Sequence, residues 1–260
     1  MYAADLDQAR KHLREALRLD PDHPEGGRTL KRVRKLEQHV QEGKAAYNRR
    51  DFQGAHVSFS SALEAAELPQ HAPLSATLHA ERASTSLRLQ QYDHALRDAT
   101  VALYAQDDCK SAWVTKAAAL QALGQHEQAL RELEPVMASL GHDAQISGAY
   151  NRAQFEVRKA RRPDYYALLR VPTRASTMEV RAAYREQALI WHPDKHATSE
   201  EGRRVAEERF KLIGEALETL VDDFKRKLWD EGYDKAAVDE KARAAERAAR
   251  EEPRGHHHHH

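Results

Sequence analysis

The sequence has little of what several common protein classes depend on. Its 260 residues include one cysteine, 11 glycines and 9 prolines, and only 7% of them are aromatic. A single cysteine, Cys109, can form neither an intramolecular disulfide nor a cysteine-based zinc site, and we predict a buried, inert thiol there. The helix-forming composition and the few glycines and aromatic residues also exclude a β-sandwich and a glycine-rich dinucleotide-binding fold.

Neither sign of charge is in excess. Lysine and arginine together number 41, as do aspartate and glutamate, so the formal net charge is zero. Nucleic-acid binders and anionic-membrane binders usually carry a basic excess, so we predict no nucleic-acid partner and no membrane partner. The sequence has no run of 18 apolar residues, so no membrane-spanning helix is predicted. The five histidines at 256–260 are a purification tag.

The abundant residues indicate helices that repeat along the chain. Ala, Leu, Glu, Arg and Gln are good helix formers, and they predict an all-α fold. Four segments share a pattern of apolar and small residues at spacings of three and four, which places each pattern on one helix face. The four segments are Leu6-Ala9-Leu13-Ala16, Phe52-Ala55-Phe59-Ala62, Tyr92-Ala95-Ala99-Ala102 and His126-Ala129-Leu133-Val136.

The spacing of these segments identifies the repeat. Ala95 and Ala129 are 34 residues apart, which is the tetratricopeptide period, and the longer steps before them are that period plus insertions. Gly43, Ala83 and Ala117 lie on the preceding helices, where small residues let two antiparallel helices approach closely. These residues resemble the tetratricopeptide-repeat family, and the resemblance implies a helical solenoid over residues 1–141.

Breaks in the pattern divide this array. The first segment resembles only the second helix of a repeat, so the first repeat is expected to be truncated and the array to have begun earlier. A long helix is predicted near 24–50, and an insertion at 67–74 lengthens an inter-helix loop. Pro135 should end or kink the last repeat's second helix, and a capping or linker helix is predicted at 142–162.

Many grooves of this family bind acidic chaperone tails through five polar residues, called a carboxylate clamp. The resemblance places the five positions at Val40, Lys44, Glu81, Ser111 and Thr115. Only Lys44 is cationic, and Glu81 would repel a terminal carboxylate. We therefore predict that this groove is no carboxylate clamp. It would instead bind an apolar or differently charged segment, or only position its neighbour.

A second module begins near Pro163. Capping-box spacing at Ser176 and Glu179, and again at Thr198 and Glu201, marks two helix starts. The apolar stripes of these two helices are Val180, Tyr184, Ala188 and Trp191, and Phe210, Ile213, Leu217 and Leu220. A polar loop with the sequence His-Pro-Asp joins the two stripes, and a short further helix is predicted at 222–230.

These residues resemble the J domain of the DnaJ co-chaperones. The motifs are Asp-Tyr-Tyr at 164–166, Ala-Tyr-Arg at 183–185, His-Pro-Asp-Lys at 192–195 and Phe-Lys-x-Ile at 210–213, with Lys-Arg before Trp229. The resemblance implies a four-helix J domain at 163–233. After it, the charged residues 234–255 are predicted to be a solvated helix or a frayed end.

The resemblance implies a co-chaperone that binds a 70-kDa heat-shock chaperone and stimulates its ATP hydrolysis. The repeats would serve as a protein-interaction module for a client, a 90-kDa heat-shock chaperone or another partner. Pro193 restricts the loop, and the Asp194 carboxylate suits an arginine of the partner. The predicted partner-binding residues are His192, Pro193, Asp194, Arg181, Tyr184, Arg185, Lys195 and Lys211.

Three residues depart from the usual J-domain pattern. Glu186 stands where the second helix is often basic, Gly214 interrupts the third helix, and Arg170 replaces a glycine after the first helix. None of them lies in the His-Pro-Asp loop. We therefore expect an active J domain with a weakened positive face.

Other interpretations stay open at this point. No catalytic group, metal site or cofactor site is predicted, so the chain is not expected to be an enzyme. The basic cluster at 158–162 lies near the end of a helix, and we interpret it as matching the helix dipole. One alternative is a scaffold whose J domain only docks. Another is an endoplasmic-reticulum protein of the subfamily C member 3 type, although a cytoplasmic localisation is expected, with the nucleus as a further option. A further hypothesis is that the repeats cover the J domain and inhibit it.

Overall fold

The structure is a computed structural model, and it describes residues 2–66 and 73–251. Within these ranges it contains helices and no strand, so the predicted all-α fold is confirmed. The chain divides into two compact units, the first ending at Gln154 and the second beginning at Phe155. The sequence places the corresponding boundary near Pro163, further along the chain.

The first unit is a series of antiparallel helices. Its elements are α1 Tyr2–Leu19, α2 Pro24–Asn48, α3 Phe52–Ala66, α4 Pro73–Arg88, α5 Tyr92–Ala105, α6 Lys110–Ala122, α7 His126–Leu133 and α8 Met137–Leu140, followed by the first part of α9 Ala144–Arg161. Consecutive helices pack in pairs, α2 on α3, α4 on α5 and α6 on α7.

Small residues allow these helices to pack closely. A Cβ atom on Gly43 would lie 2.8 Å from the ring of Phe59, which is fully buried, so only glycine fits there without movement of the ring. Ala83 and Ala117 are also buried within their helices. The predicted role of small residues at these three positions is therefore confirmed.

An ion pair joins α4 to α5 at the edge of the first unit's core. Arg82 donates from Nε and Nη2 to the two carboxylate oxygens of Asp98, at 2.7 and 2.8 Å. This bond raises the pKa of Arg82 above its ordinary value. Asp98 is buried, so the bidentate pairing satisfies a carboxylate that would otherwise be costly to desolvate.

The helix boundaries of the first unit agree with most of the predicted breaks. The long helix α2 spans Pro24–Asn48, and α7 ends at Leu133 before a 3-10 turn that contains Pro135, as that proline predicts. The predicted loop at 67–74 lies largely outside the described residues. Pro73 and Leu74, however, open α4 and belong to a helix rather than to that loop.

The prediction of a buried thiol at Cys109 is wrong. Cys109 is only partly buried, and its Sγ lies 3.5 Å from the hydroxyl oxygen of Ser111. The reason is local, because Cys109 is the N-cap residue of α6 and precedes the part of that helix that enters the core.

The second unit contains the end of α9 and five further helices. Their bounds are α10 Tyr165–Leu169, α11 Thr177–Trp191, α12 Glu200–Val221, α13 Asp223–Glu231 and α14 Lys235–Glu251, with a 3-10 turn at Pro193–His196 between α11 and α12. One hydrophobic core joins all five helices. Its buried members are Tyr165, Tyr166, Leu169, Ala175, Val180, Ile213, Ala216, Leu220, Leu228, Trp229 and Val238.

Local signals account for most helix ends in this unit. The capping box at Ser176 and Glu179 is present, as predicted. The predicted cap at Thr198 is wrong, since the hydroxyl of Ser199 accepts the bond from the N–H of Gly202 and α12 begins one residue later. Arg170 ends α10 in the left-handed conformation, with φ of 58°, where glycine would be less strained.

Helix α14 corrects the prediction that residues 234–255 are only a solvated helix or a frayed end. Val238 is fully buried in the core of the second unit, and Ala242 is buried one turn further along. The first half of α14 therefore packs on the domain. Only the second half is exposed.

The basic cluster at 158–162 also has a different role from the one predicted. Arg158 donates from Nε and Nη2 to the two carboxylate oxygens of Asp234 at 2.7 and 2.8 Å, and Arg162 donates to the carbonyl oxygens of Trp229 and Tyr233. Phe155 packs edge-on against Tyr233. Specific tertiary bonds, rather than the helix dipole alone, hold these cations.

No helix among the described residues has the length and apolar character needed to cross a bilayer.

Candidate functional site

The His-Pro-Asp sequence at 192–194 forms a tight, exposed turn between α11 and α12. His192 ends α11, and a 3-10 turn follows at Pro193–His196, where proline has the backbone angle that such a turn requires. The Asp194 side chain is 91% exposed. Its carboxylate is therefore available to a partner molecule.

His192 stabilises this turn from inside it. The backbone N–H of Asp194 donates to Nδ1 of His192 at 3.3 Å, and the Asp194 carboxylate lies 3.7 Å from the same atom. The imidazole also meets the ring of Phe210 edge-on at 5.7 Å. The ring thereby links the backbone of the turn to α12.

His196 braces the other end of the turn, a role that is not predicted from the sequence. Its Nε2 donates to the carbonyl oxygen of Ile190 at 2.9 Å, and its ring stacks on Trp191 at 5.5 Å. The guanidinium of Arg209, on α12, lies 5.0 Å from the centre of the same Trp191 ring. Nothing in the spacing of these residues predicts the contacts, because they depend on how the chain turns at Pro193.

The predicted cations flank the turn on two helices. Arg181 and Arg185 are exposed on α11 and, being four residues apart, lie on one helix face. Lys195 is exposed within the turn, and Lys211 is exposed on α12 directly after Phe210. Tyr184 differs from these four, since it is half-buried against the core of the second unit and supports the face rather than projecting from it.

Polar bonds hold α10 against α13 behind this surface. The Tyr166 hydroxyl donates to Asp230 at 2.6 Å and accepts from Nε of Arg226 at 3.2 Å. Burial and the bond to Asp230 raise the pKa of Tyr166. Its neighbour Tyr165 stacks on Trp229 with ring centres 3.9 Å apart, and burial raises the pKa of Tyr165 as well.

The first unit contains a separate candidate site, a groove of about 1210 Å³. Glu81, Ser111 and Thr115, three of the five positions assigned to a carboxylate clamp, line this groove. Val40, the first of the five, is buried in the core with 1% of its surface exposed and cannot reach a ligand there. Burial raises the pKa of Glu81, while nearby Lys44 acts in the opposite direction.

Comparisons with known proteins agree with both units. Residues 164–230 match the family model of the DnaJ domain. The crystal structure of the P58(IPK) TPR domain matches with a TM-score of 0.53 at 19% identity, over 62% of this chain and 44% of that one. This likeness shows that the chain contains the tetratricopeptide-repeat fold.

Curated relatives match over most of the chain. A DnaJ homolog subfamily C member 7 homolog of Schizosaccharomyces pombe is 34% identical over 233 residues, which are 90% of this chain and 48% of the relative. Human DnaJ homolog subfamily C member 7 is 30% identical over 234 residues, 90% of this chain and 47% of the relative. The chain thus spans about half the length of the curated relatives it matches. It is a protein of tetratricopeptide repeats followed by a DnaJ domain, and it resembles DnaJ homolog subfamily C member 7.

Proposed function

We propose that this chain is a co-chaperone that binds a 70-kDa heat-shock chaperone through its DnaJ domain and stimulates ATP hydrolysis by that chaperone. The observation that carries the proposal is the Asp194 carboxylate, which is exposed on a turn braced by His192 and His196. An exposed carboxylate can accept two parallel bonds from an arginine of the partner.

The cations beside the turn supply the rest of the proposed recognition surface. Arg181, Arg185, Lys195 and Lys211 would attract an acidic patch on the chaperone, which raises the rate of association more than the final affinity. Because the four side chains are exposed, salt should screen this attraction. Glu186 is exposed on the same helix and reduces the positive potential, so we expect a modest association rate.

A single-turnover ATPase assay with a cognate 70-kDa chaperone tests the proposal. We expect the wild-type chain to accelerate hydrolysis and the variants Asp194→Asn and His192→Gln to lose most of this effect. A matched control is His142→Gln, since His142 is exposed in the first unit and distant in sequence from the turn. If the wild-type chain stimulates no more than His192→Gln, the co-chaperone function is wrong.

The second candidate is a scaffold whose DnaJ domain docks without stimulating hydrolysis. The exposed turn would still bind the chaperone in that case, so a binding measurement accompanies the ATPase assay. Wild-type binding that Asp194→Asn abolishes, without any stimulation of hydrolysis, would favour the scaffold. The chaperone would then be a docking partner only.

The repeats are proposed as a protein-interaction module for a client, a 90-kDa heat-shock chaperone or another protein. The groove in the first unit supports this role, because helices of an array present a continuous concave surface.

We also propose a cytoplasmic localisation. Imaging of the tagged protein tests the localisation, and accumulation in the endoplasmic reticulum would contradict it.

A further inference from the structure

Arg209 is a partly buried cation on α12, and its own helix supplies no counter-charge for it. It lies four residues before the fully buried Ile213, so the two side chains share the helix face that is directed towards the core. The residues three and four positions away from it are Val205, Ala206, Leu212 and Ile213, and none of them is acidic. The usual pairing along a helix therefore offers this guanidinium no carboxylate.

Arg209 also lacks the acceptors that comparable arginines have. Among the described residues of the second unit, three arginines are partly buried, namely Arg162, Arg209 and Arg226. Arg162 donates to two carbonyl oxygens, and Arg226 donates to the Tyr166 hydroxyl and the Thr173 carbonyl oxygen. Nε of Arg209, in contrast, is buried with no hydrogen-bond partner, and no ion pair among the described residues involves its guanidinium. A buried donor without an acceptor costs stability, so its presence calls for an explanation.

The contact that Arg209 does make places it beside the His-Pro-Asp turn. Its guanidinium lies 5.0 Å from the centre of the Trp191 ring, and that ring stacks on His196. The next residue of α12, Phe210, meets the ring of His192 edge-on. A protein bound at the turn would therefore lie close to Arg209.

We propose that Arg209 is a further residue of the chaperone-binding surface and that it binds a carboxylate of the 70-kDa chaperone. The inference rests on the proposed co-chaperone function and adds a contact to the exposed cations beside the turn. A guanidinium can donate two parallel bonds to one carboxylate, and it keeps this ability while it contacts an aromatic ring such as that of Trp191. Because Arg209 is only partly buried, the outer part of its guanidinium remains accessible to such a group.

Partial burial gives Arg209 a different kinetic effect from the exposed cations. Exposed charges at the rim of an interface chiefly change the rate of association, whereas loss of one partner of a desolvated charge pair chiefly changes the rate of dissociation. Arg181 is exposed and belongs to the first class, and Arg209 belongs to the second. Measuring both rate constants therefore separates the two roles.

Surface plasmon resonance of the full chain on an immobilised cognate 70-kDa chaperone, in the presence of ATP, tests the proposal. Arg209→Met keeps an unbranched side chain against Trp191 but removes the charge and every N–H donor. We expect it to raise the dissociation rate constant by about 10-fold or more and to change the association rate constant by less than about 2-fold. Arg209→Lys keeps the charge but not the paired donors, so its dissociation rate constant should rise less.

Two further variants serve as controls in this measurement. Arg204→Met makes the same change of charge at an exposed position of α12, and it should change neither rate constant by more than about 2-fold. Arg181→Gln should lower the association rate constant and leave dissociation nearly unchanged. If Arg209→Met dissociates no faster than Arg204→Met, the assignment of Arg209 is wrong.

Urea denaturation distinguishes a contact with the chaperone from a purely structural role. Arg209→Met removes a buried donor that has no acceptor, so we expect its free energy of unfolding to be close to that of the wild-type chain. A lower free energy of unfolding with unchanged dissociation would assign Arg209 to the packing of Trp191 and overturn the proposal.

Neutral substitution of the chaperone's surface carboxylates, one at a time, identifies the partner group. One of these substitutions should accelerate dissociation of the wild-type chain as Arg209→Met does, and it should accelerate dissociation of Arg209→Met little further. If every such substitution acts equally on the wild-type chain and on Arg209→Met, Arg209 binds no carboxylate of the chaperone.

This outcome is separable from that of the co-chaperone proposal. Binding by the wild-type chain that Asp194→Asn abolishes, together with dissociation of Arg209→Met at the rate of Arg204→Met, would contradict the role of Arg209 alone. If the wild-type chain does not bind the chaperone at all, both proposals are wrong.

Discussion

The guanidinium of Arg162 lies 4.1 Å from the centre of the Trp229 ring, and its Nη1 donates to the Trp229 carbonyl oxygen at 2.6 Å. A second bond from the same atom reaches the carbonyl oxygen of Tyr233 at 3.0 Å. Arg162 precedes the segment that matches the DnaJ family model, and Tyr233 follows it. In this chain the DnaJ core is therefore extended by residues on both sides of the matched segment.

Arg162→Lys should destabilise the second unit by about 1–2 kcal/mol, because lysine cannot keep both the planar contact with the indole and the two carbonyl bonds. Urea denaturation measures the loss. Arg174→Lys, at an exposed position between α10 and α11, is the matched control and should change the free energy of unfolding little. If the two variants have the same free energy of unfolding, the contacts of Arg162 do not stabilise the second unit.

Val238→Ala should lower the free energy of unfolding by about 1–3 kcal/mol, since it removes two buried methyl groups and leaves a cavity where α14 meets the core. The matched control is Val205→Ala, because Val205 is 45% exposed in α12. Alanine at that position should be neutral or slightly stabilising through its higher helix propensity. Thermal unfolding compares the two, and a Val238→Ala protein as stable as wild type would mean that α14 does not stabilise the domain.

Asp98→Asn should destabilise the first unit by about 2–3 kcal/mol, because it leaves the Arg82 guanidinium with a neutral partner in a mostly buried site. Asp93→Asn, an exposed substitution in the same helix, serves as the control. Both variants would be compared by urea denaturation. If Asp98→Asn lowers the free energy of unfolding no more than Asp93→Asn does, solvent screens the Arg82–Asp98 pair as it screens a surface ion pair.

Stability should depend on pH through Glu81. The pKa of Glu81 is higher in the folded state than in the unfolded chain, so its contribution to stability is fully present below the unfolded value and is lost as the pH rises through the folded one. Glu81→Gln should therefore be more stable than wild type at neutral pH, with the difference shrinking towards pH 4. Glu134→Gln is the control, because Glu134 is exposed on the turn after α7, and its stability relative to wild type should show no such trend. A stability difference between Glu81→Gln and wild type that grows on acidification would contradict the raised pKa of Glu81.

His196 should act as a positioning residue for the His-Pro-Asp turn. His196→Ala removes the bond to the Ile190 carbonyl and the stack on Trp191, so we expect stimulation of the 70-kDa chaperone to fall by about 2- to 10-fold. His196→Gln keeps a side-chain N–H donor, so we expect it to lose less of the stimulation than His196→Ala. His142→Ala is the control. If alanine and glutamine at position 196 stimulate equally, the bond does not hold the turn in place.

The helical class, the repeat pattern and the position of the His-Pro-Asp turn could all be predicted from the amino-acid sequence. These features depend on local periodicity, as in the repeat segments that contain Ala95 and Ala129, and on short motifs whose residues are neighbours in the chain. The same reasoning located the cap at Ser176 and the break at Pro135. It missed the cap at Ser199 by one residue, because Thr198 and Ser199 carry the same hydroxyl and only the path of the chain chooses between them.

Which of the charged and apolar residues on these helices have partners depends instead on how the helices pack. Val238 and Ala242 are four residues apart, which is a helical signal, but the charged residues around them indicated a solvated helix. Arg158 and Arg162 bind residues more than 65 positions away, and His196 reaches Ile190 across a proline turn. Contacts of this kind form between helices after packing, so neither periodicity nor motif spacing encodes them, and the same holds for the partly buried charge of Glu81.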